Sequence, residues 1–128
     1  HRLAIFPSPY LEEFQNNPEI YLDDDVFADV VAKNIVPFPI RFDFDSRKGV
    51  WKELEHPQSH LSLAQYQNCR IPVSSPVGPS SFTEFILRNF YNSAFYRCAD
   101  GLPMVIPSFN DSMLPSEEGV LHVRTPSQ

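Results

Sequence analysis

Arg41, Asp43 and Asp45 recur at every second position of the run 35–45. Side chains two apart in a strand share a face, so these three point one way, while Phe38, Ile40, Phe42 and Phe44 point the other. Two further segments continue the logic. In HPQSHLSLA, His60, Ser62 and Ala64 alternate with Leu61 and Leu63, and in CRIPV, Arg70 alternates with Cys69, Ile71 and Val73. If these strands are neighbours, Arg41, Asp43, Asp45, His60, Ser62 and Arg70 gather on one polar sheet face. Such a set can do chemistry. Imidazole nitrogens of His56 or His60 with carboxylate oxygens of Asp43 or Asp45 are donors for a divalent metal. The metal would activate water, and an arginine would stabilise the anionic transition state. In that reading Asp43, Asp45, His60 and Arg70 are catalytic, and His56, His60 and Asp43 are the metal ligands. The competing reading is a solvated face of an antiparallel sheet, where Arg and Asp pair across strands for solubility.

Other chemistries find less support. The two histidines of HPQSH are four apart, but Pro57 interrupts any helix through both, so the spacing is not the helical zinc signature HExxH. A proline just after His56 instead suggests a rigid turn that presents His60 at the start of a strand, where the ring serves either the site or a hydrogen bond to the loop backbone. Glycines occur only at 49, 78, 101 and 119, which excludes a Gly-rich phosphate loop. Ser59 beside His60 and Cys69 beside Arg70 are nominal nucleophiles, yet neither sits in a nucleophile elbow. Cys69 and Cys98 lack CxxC spacing and read as reduced, partly buried thiols.

The elements that would position the polar face follow from the rest of the chain. Residues 2–6 read as a strand, Ser8 and Pro9 open a short amphipathic turn, and Asp23, Asp24 and Asp25 start a helix ending near Lys33 and Asn34. Pro37 and Pro39 cannot donate ladder hydrogen bonds, which puts the beginning of that strand on a sheet edge or before pairing starts. Residues 46–49 make a turn, the segment around Trp51 is strand or loop, and residues 74–79 are a Pro/Ser linker. Ser81 and Glu84 match a capping box and open the longest helical pattern, expected to run to about Arg97. Its stripe of Phe82, Phe85, Ile86, Phe90 and Ala94 is broadened by Leu87, Tyr91 and Phe95. The natural cover for this stripe is the sheet face bearing Phe42. Residues 120–123 supply a last strand. The expected fold class is α+β: a mostly antiparallel sheet of four to five strands, with one long and one or two short helices on one face.

Composition narrows the function. The chain has 128 residues, 17 aromatics and a formal charge of −6, with 11 acids against 6 bases before residue 61. This content can bury a core, unlike a disordered tail. A single domain spanning 1–128 is expected. No stretch approaches the roughly 18 apolar residues of a membrane span. The acidic balance disfavours nucleic acid as a partner. With no leader motif and two unpaired cysteines, the cytoplasm is the expected location.

The run HPQSHLSLAQYQNCRIPVSSP followed by FTEFILRNFYNSAF resembles an uncharacterised bacterial family known only as a domain of unknown function. The resemblance extends to HRLAIFPSP and RFDFD and so covers most of the chain. It implies a bacterial cytosolic protein that is longer at its N-terminus, in keeping with the expectation, from a chain that begins at His1 without a methionine, of a fragment such as a C-terminal portion or of a processed product. It carries no activity and no agreed catalytic residues onto His56, His60 or Arg70. Two functions are therefore expected from the residues alone. The first is an interaction or structural subunit, in which the broad aromatic helix meets a protein partner or a second copy of the chain. The second is a metal-dependent hydrolase or nuclease that uses the polar sheet face. Convergence of His60 and Asp43 in a concave pocket favours hydrolysis, and exposure of Phe82, Tyr91 or Phe95 favours an interface.

Overall fold

The alternating run around Arg41 and Asp43 forms the second strand of a four-stranded antiparallel sheet in the computed structural model, which describes residues 1–6, 16, 17, 19, 23, 38–64, 66–101 and 109–126. The strands are β1 (Arg2–Ile5), β2 (Ile40–Phe44), β3 (Ser59–Leu63) and β4 (Ile71–Pro72), and they lie in the order β1-β2-β3-β4. The ladder starts at Ile40; Pro39, with no N–H to donate, takes part only through its carbonyl, which accepts the Ala64 N–H at 2.8 Å, and because β2 is an inner strand its start is not at a sheet edge. Among the described residues the helices are α1 (Pro79–Phe90), α2 (Asn92–Cys98) and α3 (Pro115–Glu118), with a 3-10 turn at Ala99–Gly101. This is the α+β architecture the sequence leads one to expect. The helices expected near 9–14 and 25–34 lie outside the described residues.

Register explains why two chemistries separate across the sheet. Asp43 pairs with Arg2 on one side and with His60 on the other, and His60 pairs in turn with Pro72. The next row but one sets Ala4, Arg41 and Ser62 together. Partners directly opposite point to the same face, so both rows project from one side. The intervening row pairs Leu3, Phe42 and Leu61 and projects from the other.

That second face is the core side. Phe42 is only 8% exposed and meets the rings of Phe82 and Phe85 edge-on, at centroid distances of 6.1 and 5.8 Å. Edge-to-face geometry puts the electropositive ring edge against the π face of its neighbour. α1 therefore covers the Phe42 face, as the apolar stripe requires.

Two details of α1 differ from the sequence reading. The helix starts at Pro79, before the Ser81–Glu84 pair, with Gly78 at the N-cap and no side-chain cap. A proline at the first helical position has φ already set, which starts the helix early and draws the serine inside it. Glu84 pairs instead with Arg88, one turn on. The helix also breaks at Tyr91 before α2 begins. Here Asn89 Nδ2 donates to the Phe85 carbonyl at 2.7 Å and Asn92 Nδ2 donates to that of Arg88. These amides compete for main-chain acceptors and loosen the ladder. The Arg88 guanidinium, 5.2 Å over the Phe95 ring, spans the break.

The last segment docks through single contacts rather than as a strand. Only Val123 bridges, in parallel, to Val73; Val123 N–H donates to the Pro72 carbonyl and Ser74 N–H to that of Val123, both at 2.9 Å. Thr125 N–H donates to Ser74 Oγ, fixing the chain beyond it. Glu117, 1% exposed, accepts the Leu114 N–H at 2.9 Å and so caps α3 from within. Among the described residues no helix is long and apolar enough to cross a membrane.

Candidate functional site

The polar face of the sheet is concave. A cleft of about 660 Å³ opens on it, and its walls include Arg41, Asp43, Asp45, His56, His60, Ser62 and Arg70. Every residue assigned to the polar face by alternation thus reaches one cleft, together with His56.

Local structure accounts for each placement. Asp45 and Gly49 bracket a turn in which Gly49 takes a φ of +83°, a region that glycine enters without steric cost. Lys52 and His56 then exchange backbone hydrogen bonds of 2.9 and 2.7 Å around a three-residue loop, with Leu54 at a φ of +61°. This tight hairpin settles the segment around Trp51 as a turn and sets His56 beside the sheet. Pro57 follows, buried, and leads directly into β3. The His56 and His60 rings meet at 4.9 Å.

His60 is buried in the cleft wall, at 5% exposure. Its Nδ1 lies 2.9 Å from the Pro57 carbonyl oxygen. A carbonyl only accepts, so Nδ1 carries the proton and Nε2 is the nitrogen with the free lone pair. That Nε2 stands 3.8 Å from Asp43 Oδ2. Burial lowers the His60 pKa below its ordinary 6.5, against the opposing pull of the Pro57 hydrogen bond and of Asp43; His56 and Arg70 push it further down. At neutral pH the ring is therefore an uncharged base.

The carboxylates differ in availability. Asp43 holds an ion pair with Arg2 from β1 while facing His60. Asp45 is claimed by Arg47, whose Nε reaches Oδ1 at 2.9 Å and whose Nη2 reaches Oδ2 at 2.5 Å, while the Arg47 N–H donates to Oδ1 at 3.1 Å. Hydrogen bonding from Arg47 holds this carboxyl well below the usual range. Asp45 lines the cleft but works as a turn lock. Asp45→Asn is expected to leave cleft chemistry intact. Since the folded chain binds that proton less readily than the unfolded one, the ion pair stabilises the fold above the ordinary value of 3.8, and the contribution fades as pH falls below it. An acid-unfolding titration checks this, with the mutant differing from the parent only at higher pH and in low salt.

Arg70 Nη1 makes one long contact, 3.4 Å, to the Glu55 carbonyl, and Arg41 Nε is buried without a hydrogen-bond partner. Among the described residues neither guanidinium has a carboxylate partner. Sequence reasoning missed Arg2, whose outward position in β1 and pairing with Asp43 bring it to the cleft. Its signal was present: Arg2 and Ala4 alternate with Leu3 and Ile5.

Of the nominal nucleophiles, Ser59 pairs with Phe44 on the other face, 3% exposed, away from the His60 ring. Cys69 is half-buried and not part of the cleft wall, and Cys98 is exposed rather than partly buried. For metal binding, the proposed ligands His56, His60 and Asp43 share the cleft. However, among the described residues no three His, Cys, Asp or Glu side chains are grouped to hold an ion. The aromatic helix residues Phe82, Tyr91 and Phe95 are all half-buried, so they do not form a bare apolar patch.

No curated protein and no solved structure matches the chain significantly. One family model does, over residues 1–125, and by that match the chain belongs to the family described as Uncharacterized conserved protein (DUF2290).

Proposed function

We propose that the chain is a hydrolase whose active site is the cleft over β2 and β3, acting on an ester that carries negative charge. The observation that carries this reading is the disposition of His60: its Nδ1 is held by the Pro57 carbonyl, its lone pair is on Nε2, and Asp43 stands 3.8 Å from that nitrogen. Water placed against Nε2 loses a proton to it as its oxygen attacks the ester centre. The imidazolium so formed is stabilised by Asp43 and returns the proton to the departing oxygen. Arg41 and Arg70 face charge building on the oxygens of the attacked group. His56, in ring contact with His60, limits how far that ring can turn.

A divalent ion there would have His60 Nε2 and Asp43 Oδ2 as donors, and among the described residues no third His, Cys, Asp or Glu is grouped with them. The steps above do not require it. The test is turnover of 4-nitrophenyl carboxylic esters, phosphomonoesters and phosphodiesters by the wild-type chain, run in chelator and with Mg²⁺, Mn²⁺ or Zn²⁺. Turnover of a phosphomonoester or phosphodiester above buffer supports the reading; a folded chain that turns over neither in any condition, or only the uncharged carboxylic esters, overturns it.

A pH profile follows from the base. Because burial depresses the His60 pKa, kcat/KM should rise with pH along a limb centred below 6.5 and then reach a plateau, since this ratio reports groups in the free enzyme. A limb centred above 6.5 would identify another base. Stability shares the sign. Between 6.5 and the lower folded-state pKa the unfolded chain takes up a proton that folded His60 resists, so stability is complete above 6.5 and falls on acidification.

A second reading, in which the chain binds a protein partner, draws on the exposed Phe6, Tyr96 and Leu121. Sedimentation of the purified chain tests its self-associating form. A monomer at all concentrations removes the homo-oligomer.

A further inference from the structure

We propose that Arg41, Ser62 and Arg70 form the seat for a dianionic phosphate group, so that the substrate class of the cleft is the phosphate monoester. The use of the seat in catalysis rests on the hydrolytic reading, whereas phosphate binding does not. Three observations converge. The first is register. Arg41 pairs with Ser62, and the β3–β4 pairing of Leu61 with Ile71, carried one residue further, sets Arg70 opposite Ser62 on its other side. Ser62 is thus flanked in register by Arg41 of β2 on one side and by Arg70, the residue just before β4, on the other, and all three residues line the cleft.

The second is charge. Each carboxylate of the cleft already has a cation of its own, Asp43 with Arg2 and Asp45 with Arg47. Arg41 and Arg70 remain as two positive charges without a carboxylate among the described residues, in a chain whose net charge is −6. Two charges with no carboxylate among the described residues match one dianion. A carboxylate or a phosphodiester linkage carries a single charge and would leave one guanidinium unpaired, and the acidic chain repels a polyanion.

The third is hydrogen bonding. Arg41 Nε is buried without an acceptor, a costly state for a guanidinium N–H that a tetrahedral oxyanion would relieve. Guanidinium forks bind phosphate oxygens in pairs, and the Ser62 hydroxyl adds a donor between them. The seat is also correctly spaced from the base. His60 precedes Ser62 by two residues on β3, about 6.8 Å along the strand, which leaves room for a water between Nε2 and a seated phosphorus.

The experiment is calorimetric titration of the full chain with inorganic phosphate above neutral pH, with acetate as the monoanion control. Phosphate should bind at one site and acetate should not. Arg41→Ala and Arg70→Gln should each weaken phosphate at least about tenfold, the scale of one lost charge-assisted hydrogen bond. Arg41→Lys, which keeps charge and loses the fork, should fall between Arg41→Ala and wild type, and it guards against misfolding of the alanine variant. Absence of phosphate binding to the folded wild type, or wild-type binding by both Arg41→Ala and Arg70→Gln, overturns the seat. Competition by glycerol phosphate but not by a 5′-phosphorylated oligonucleotide assigns the seat to small molecules; the converse assigns it to nucleic-acid ends, and the seat stands in both. Phosphate binding without hydrolysis of any ester removes the hydrolase and keeps the seat, whereas ester hydrolysis without phosphate binding does the reverse.

Discussion

His60→Asn is expected to lower kcat/KM by about 10²- to 10⁴-fold, the usual contribution of a positioned general base. The Asn amide sits where Nδ1 does and can donate to the Pro57 carbonyl, so the contact that holds position 60 is kept while the basic nitrogen facing Asp43 is lost. Unfolding midpoints of the two proteins should then lie close together above pH 6.5, where wild-type His60 is neutral in the folded and unfolded chain alike. Below that pH the wild type loses stability that the asparagine variant retains. This crossover separates a catalytic role from a structural one. Equal turnover by the two proteins would remove His60 from the mechanism, whatever the esters used.

The second large effect is on stability. Phe42→Ala should cost about 3–5 kcal/mol, because the ring is nearly buried and its removal leaves a cavity lined by Phe82 and Phe85. Phe42 also sits between Arg41 and Asp43 on β2, so its packing against α1 fixes the plane from which both polar neighbours project. The variant should show weakened ester turnover even at temperatures where it remains folded. Denaturant unfolding measures the first effect. A cost near zero would mean that the Phe42 face is not the core.

Much of this arrangement was legible from residue types alone. Period-two alternation sorted Arg41, Asp43, His60, Ser62 and Arg70 onto one face because that face must shed its apolar residues and the opposite one must bury Phe42 under an aromatic helix. Register was not legible. Alternation is unchanged when a strand slides by two residues, so only the paired structure shows that Asp43 lies opposite His60 and Arg41 opposite Ser62. The division of labour between the two carboxylates was equally hidden. Asp43 and Asp45 are equivalent in the pattern, but the turn after β2 brings Arg47 back onto Asp45, while Asp43 projects from the polar face between Arg2 and His60. Helix limits failed where side chains and backbone compete. Pro79 overrode a capping box, and Asn89 and Asn92 interrupted an apolar pattern that continues through Tyr91 without a break. The cleft itself depended on the hairpin at Lys52 and His56, whose left-handed Leu54 no sequence rule would have singled out.

The account turns on the state of one ring, and nitrogen-resolved NMR of the His60 imidazole reads that state directly. The expected spectrum has the proton on Nδ1 and a pyridine-like Nε2 at neutral pH, titrates with a midpoint below 6.5, and shifts when phosphate is added. A proton resident on Nε2, or a midpoint at or above 6.5 in the free protein, would contradict the assignment of His60 as the base of this cleft.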